Sequence, residues 1–181
     1  METNKTLAED FGGERVVSNG YGGFMEGLLQ LVEGKEIGAP LGEQIKAYAL
    51  GFVEEHDLGG FNRFSDETYV RDYIGRDAGT GWEAIVMCWK KGNRTAIHSH
   101  PQFAGYTFAD GEFLVEIFEP RGTGAHPVQQ LHITGQSGLY AIGEAGKFTN
   151  HIHRITCLSK TAHSLHIYSD DALKGLKYEE V

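Results

Sequence analysis

Gly92-Asn93-Arg94-Thr95-Ala96-Ile97-His98-Ser99-His100-Pro101-Gln102-Phe103-Ala104-Gly105-Tyr106-Thr107-Phe108-Ala109-Asp110-Gly111 is the stretch that decides how the rest of the chain is read. At its centre, Ile97-His98-Ser99-His100-Pro101 sets two histidines one residue apart in a strand-like run. Strand side chains alternate between faces, so His98 and His100 point the same way. Their Cβ atoms lie roughly 6–7 Å apart, from about 3.3 Å of rise per residue. Two imidazole nitrogens can converge from there on one metal ion, about 2.0–2.1 Å from each. An isolated pair also arises by chance in a chain with nine histidines, so a third ligand is needed. His132, His151, His153, His163 and His166 are the candidates. His151 and His153 form a second pair of the same spacing, so pattern alone does not rank them.

Outward from this stretch the chain reads as β-rich. Asp110-Gly111 between Phe108 and Phe113 is a two-residue hairpin signal. From Phe61 onward, runs of Val, Ile, Tyr, Phe and Thr alternate with glycine-bearing turns, which suggests a barrel or sandwich. The spacing predicts strands over 68–74, 82–90, 95–100, 104–109, 112–118, 128–133, 137–142, 151–158 and 162–169. Upstream, residues 21–34 and 40–55 carry apolar side chains at helical spacing, with Pro40 at a tolerated first-turn position. Residues 1–20 are polar and are expected to hold little order. The organisation expected is one domain over 1–181, with a helical segment to about residue 58 and a β-barrel over about 61–170. Small barrels enclose a cavity suited to a ligand or metal.

Composition narrows the class. At 181 residues, with 40% hydrophobic and 23% charged, the chain suits a soluble globular domain. A net charge of −9 argues against a nucleic-acid partner. No apolar run approaches the ~20 residues that span a bilayer, and the polar N-terminus lacks a signal-peptide core. Cys88 and Cys157 read as buried free thiols of a reducing compartment, so the expected location is cytoplasmic.

Gly92-x5-His98-x-His100-x3-Ala104-x6-Gly111 resembles the first cupin motif, G-x5-H-x-H-x3,4-E-x6-G, with Ala104 in place of the glutamate. That departure resembles the cysteine dioxygenase family, thiol dioxygenases that hold iron with three histidines. Tyr69-Val70-Arg71-Asp72 resembles that family's Tyr-x-Arg-Asn segment. Ile85-Val86-Met87-Cys88-Trp89 resembles its apolar strand ending in Cys-Trp. Ile152-His153-Arg154-Ile155 resembles its Leu-His-Arg-Val, and Ser164-Leu165-His166-Ile167-Tyr168-Ser169 its Ser-Leu-His-Leu-Tyr-Ser.

The resemblance implies a cupin double-stranded β-helix, mainly β, preceded by two or three helices. It implies Fe(II) held by His98, His100 and His153, with Ni or Zn as substitutes in purified protein. The implied reaction is oxidation of L-cysteine by O2 to its sulfinic acid, the substrate meeting iron through thiolate and amine. Arg71 would grip the carboxylate as a bidentate fork, with a hydroxyl contact from Tyr69. Ser164, His166 and Tyr168 alternate by two and would form a hydroxyl–imidazole–phenol relay. No Cys–Tyr thioether is expected, because neither Ala104 nor Gly105 is cysteine. The second cupin motif is incomplete, with Cys157 where asparagine is usual, and Asp170-Asp171 replaces the proline that usually follows the last serine. Against the family's longer tail this implies a wider mouth that could admit a larger thiol or 3-mercaptopropionate, although Arg71 favours an amino-acid-like substrate. Other readings are a three-histidine dioxygenase of a non-thiol substrate, such as a diketone or flavonol, and a metal-binding cupin without turnover. The partners expected are a small thiol and O2, in a monomer or homodimer without nucleic acid or membrane.

Overall fold

The computed structural model of the chain describes residues 21–181, so the expectation for residues 1–20 lies outside them. Phe24, Leu28 and Val32 form a buried stripe on α1 (Gly22–Val32). Leu41, Ile45, Ala49 and Val53 do the same on α2 (Ala39–Glu55), which has Pro40 in its first turn. Spacing by four stacks such residues on one helix face. A short 3-10 turn, Leu58–Gly60, leads out of α2.

Ten strands follow: β1 (Val70–Arg76), β2 (Glu83–Lys90), β3 (Ile97–His100), β4 (Phe103–Phe108), β5 (Glu112–Arg121), β6 (Gly124–Thr134), β7 (Ser137–Ile142), β8 (Asn150–Cys157), β9 (Thr161–Tyr168) and β10 (Lys177–Tyr178). They form two five-stranded sheets, β1-β2-β9-β4-β7 and β10-β3-β8-β5-β6. Every ladder is antiparallel. The chain passes repeatedly from one sheet to the other, which is the winding of a double-stranded β-helix. The fold is thus mainly β, with two helices before the barrel among the described residues.

β2 shows how the sheet carries two cores. Ala84, Val86 and Cys88 face outward into the cluster that holds Phe24, Leu28, Leu41, Ile45 and Ala49 of the helices. Ile85, Met87 and Trp89 face inward, with Tyr69, Tyr73, Tyr106, Phe113, Val115, Ile155 and Tyr168. Burial on both faces explains why β2 is apolar nearly throughout, since alternation needs one wet face. The two glycines that frame the histidine stretch have a backbone reason. Gly92 and Gly111 adopt φ of +88° and +75°, and a Cβ on Gly111 would lie 2.6 Å from Cβ of Ala162.

Two strands exceed their sequence expectation. β5 and β6 run on past a bulge at Ile117/Phe118, through Pro120 and Pro127. Prolines argue against a central strand, but Pro127 lies on the edge strand β6, and Pro120 lies past Ile117, where the pairing of β5 with β8 ends. β10, two residues long, carries no sequence signal of its own, yet it pairs with β3, Lys177 opposite His98.

Candidate metal centre

His98 and His100 lie on β3, buried, with rings 4.5 Å apart. β8 supplies the third imidazole, because His153 stands directly opposite His98 in the β3–β8 ladder. The register then slips, His100 pairing with Asn150, so β8 holds one extra residue in a bulge. The Asn150 side-chain amide lies within 3.1 Å of the carbonyls of Pro101, Gln102 and Ala141 and fastens the bulge to the chain leaving β3. The ligand atoms of His98, His100 and His153 lie within 4.8 Å of one another.

Hydrogen bonding fixes which nitrogens can bind. Nδ1 of His98 faces the carbonyl of Ala96 at 2.9 Å, and Nδ1 of His153 that of His151 at 2.9 Å. A carbonyl only accepts, so both Nδ1 atoms carry the proton and both Nε2 atoms keep a lone pair. Neither ring nitrogen of His100 has a hydrogen-bond partner, although both are buried. Leaving buried polar atoms unpaired is costly, and a metal ion among the three rings would give one of the two His100 nitrogens a partner. Burial first, then neighbouring positive charge, lowers His98 to about 4 and holds His100 and His153 well below the ordinary histidine value. All three are neutral near pH 7, the protonation state a metal ligand needs. The residues present therefore fit a metal ion, held by three nitrogens with no carboxylate.

The remaining candidate histidines are accounted for separately. His132 is exposed, 3.6 Å from Glu112. His163 lies between Asp110 and the carbonyl of Phe61. His151 lies outside the three-histidine group, its Nδ1 3.1 Å from the Tyr106 hydroxyl. Its φ of +48° is the one positive value at a non-glycine among the described residues. Such strain concentrates at functional sites.

β9 brings Ser164, His166 and Tyr168 into one buried row, Oγ to Nε2 at 2.7 Å and Nδ1 to the phenol at 3.0 Å. Trp89, which the sequence marked only as part of an apolar strand, donates its indole N–H to Ser164 Oγ at 2.9 Å. Ser164 accepts from Trp89 and keeps its own proton free to give to Nε2 of His166. A neutral imidazole then carries its proton on Nδ1 and donates it to Tyr168. Burial and the Arg71 charge keep His166 neutral, lowering it to about 3. The Tyr168 O–H is left to donate elsewhere. Its ring stacks on His100, centroids 4.9 Å apart and planes 7° from parallel. Burial raises Tyr168 well above the ordinary tyrosine value, so it stays protonated.

Arg71 pairs with Met87 in the β1–β2 ladder and so faces the interior. Its charge is felt at His98, His166 and Tyr168. The guanidinium lies 5.1 Å from the Tyr73 ring centre. Tyr69 stacks on Trp89, ring centres 4.6 Å apart. Ala104, where the motif has glutamate, is buried opposite Tyr168 in the β4–β9 ladder. Three imidazoles, a phenol, a guanidinium and an apolar lining thus share one interior. Such a site can hold a metal with open positions and a small anionic ligand.

The sequence family described as cysteine dioxygenase type I matches residues 16–179. The chain belongs to that family. Membership places it among dioxygenase-type oxidoreductases of the cupin fold, and His98, His100 and His153 are the group that could hold the family's metal. No curated protein matches the sequence. Solved structures that the family member resembles include a double-stranded β-helix protein of Klebsiella pneumoniae, 16% identical with a TM-score of 0.47, over 70% of this chain and 94% of that one. A cupin superfamily protein of Desulfitobacterium hafniense is 12% identical with a TM-score of 0.47, over 64% and 90%. A conserved protein of Streptococcus pyogenes is 14% identical with a TM-score of 0.43, over 60% and 80%. No helix among the described residues is long and apolar enough to cross a membrane.

Proposed function

We propose that the protein is an iron-dependent thiol dioxygenase that oxidises L-cysteine with O2 to cysteine sulfinic acid. One observation carries the reading: a three-histidine group without a carboxylate faces the directed row Trp89–Ser164–His166–Tyr168, in an interior under the positive charge of Arg71. Bound Fe(II) would supply the O2 activation that adds both oxygen atoms to sulfur, giving a sulfinic acid.

The chain's own groups would do the rest. Arg71 holds the substrate carboxylate with two parallel hydrogen bonds, a geometry lysine does not reproduce. Tyr69 packs beside it against Trp89 and offers a hydroxyl. Tyr168 presents its O–H to the reacting end of the substrate, and the row behind it holds that proton in place. Burial of all three imidazoles keeps bulk water away. Because the protein supplies no anion to the metal, the substrate thiolate would be the main charge partner, so O2 chemistry waits for substrate.

The free, buried thiols of Cys88 and Cys157 support a reducing compartment such as the cytoplasm. The net charge of −9 supports a small-molecule partner rather than nucleic acid, for a monomer or homodimer. O2 uptake by iron-loaded protein across a panel of small thiols, with mass spectrometry for the sulfinate, tests the reading. Uptake with cysteine is expected, and no uptake with any thiol would overturn it.

A further inference from the structure

Tyr106 stands on the inward face of β4, paired with His166 of β9 in the same sheet. It is buried, and its ring meets those of His153 and His166 edge-on, with centres 4.9 and 5.4 Å away. Its hydroxyl crosses to the other sheet and lies 3.1 Å from Nδ1 of His151 on β8. Burial raises Tyr106 well above the ordinary tyrosine value, so the phenol keeps its proton. Nδ1 of His151 is the acceptor beside that proton, and a neutral His151 ring then carries its own proton on Nε2. His98 and His153 hold the opposite tautomer, each giving Nδ1–H to a backbone carbonyl.

His151 also reaches the metal centre through its backbone. Its carbonyl accepts Nδ1–H of His153 at 2.9 Å, the bond that leaves Nε2 of that ring as the ligand atom. The residue lies in the bulge between the His98–His153 and His100–Asn150 pairs, with φ at +48°. A non-glycine keeps such a backbone only where its surroundings hold it there. Asn150 fastens the start of the bulge, and the Tyr106 hydroxyl fastens the residue after it. We propose that Tyr106 is a positioning residue for the metal's third ligand: its hydroxyl holds the His151 ring, the held ring keeps residue 151 in its left-handed turn, and the carbonyl so placed fixes the tautomer and tilt of His153. This rests on the three-histidine centre described above and not on the thiol chemistry. Without the anchor, residue 151 relaxes towards negative φ and its carbonyl swings off Nδ1 of His153. Outer partners of metal-binding histidines are worth roughly 10–100-fold in metal affinity. Tyr106 acts one hydrogen bond further out, so about tenfold, the low end, is expected. A phenol that only filled space would act through its ring, and loss of the hydroxyl alone would leave affinity unmoved.

The test is equilibrium Co(II) binding to the full chain, read by competition with a chromophoric chelator and by the visible absorption bands of the bound ion. Tyr106→Phe keeps the ring and removes the hydroxyl, and His151→Ala removes the ring that the hydroxyl holds. Each should raise the Co(II) dissociation constant about tenfold and shift the bands in the same way, with the ion still taken up at saturation. The double variant should lose no more than either single one, because both cut the same connection. His151→Asn restores an acceptor on a side chain that tolerates positive φ, and should bind within about threefold of wild type. Wild-type affinity and bands in Y106F, or losses that multiply in the double variant, would overturn the proposal. If Y106F does not fold, H151A and H151N decide, and equal affinities of those two overturn it. Wild-type protein that binds no Co(II) overturns the proposal together with the metal centre itself.

Discussion

His163 makes stability fall with rising pH, by an amount the geometry bounds. Its Nδ1 lies 2.8 Å from Oδ2 of Asp110, and its Nε2 lies 2.8 Å from the carbonyl of Phe61. Both partners are acceptors, so both nitrogens must carry protons and the ring is an imidazolium. Burial works against the charge, but the Asp110 carboxylate and the Phe61 carbonyl outweigh it and raise the group from 6.5 to about 10. A folded value above the unfolded one means the contribution is complete below about pH 6.5 and is lost as pH climbs towards the folded value. The slope is about 1.4 kcal/mol per pH unit for one proton. Taken whole, the shift corresponds to about 5 kcal/mol. Asp110 is half exposed, its side chain at 50%, so water screens the pair. Screening closes the window well below pH 10 and leaves about 2 kcal/mol. Urea unfolding between pH 6 and 9, comparing wild type with Asp110→Asn, reads it out. Wild type should lose about 2 kcal/mol more than the variant across that range. Parallel pH profiles would refute the imidazolium and the clamp it makes between the 3-10 turn after α2 and the β4–β5 hairpin.

Three further outcomes follow from the site. His153→Ala should abolish iron binding in metal analysis while His151→Ala keeps it, and the reverse result would reassign the ligand. Trp89→Phe removes the donor that orients Ser164 and should lower kcat about tenfold with little change in KM, as loss of one hydrogen bond predicts. An unchanged kcat would show the row to be structural. His151→Gly should be more stable than His151→Ala by about 1 kcal/mol in denaturant melts, since both lose the Tyr106 contact and only alanine retains the strain of a positive φ. Equal stabilities would mean that the backbone relaxes.

The barrel was legible because its signals are local. Alternation, the Asp110-Gly111 turn and the helical stripes of Leu28 or Ile45 each report on a few neighbouring residues. The choice between His151 and His153 was not local, since it depends on which residue stands opposite His98 across the ladder and on a one-residue bulge. Trp89 was hidden for a related reason. A strand with both faces buried looks uniformly apolar, and nothing in Ile85–Trp89 says which side meets Ser164. β10 was invisible because Lys177 and Tyr178 pair through backbone atoms, to which sequence pattern is blind.

The pairing of His98 with His153 has a mechanical side. The two residues are far apart along the chain, on strands separated by four others, and stand face to face only in the finished barrel. A metal shared by them is a removable staple across a long loop of polypeptide, working on the unfolded chain as a disulfide does. Loading the site with metal and fastening β3 to β8 within their sheet are then one event. A cell short of the metal would hold a barrel that opens more readily along the seam between β3 and β8, and proteases would meet it there.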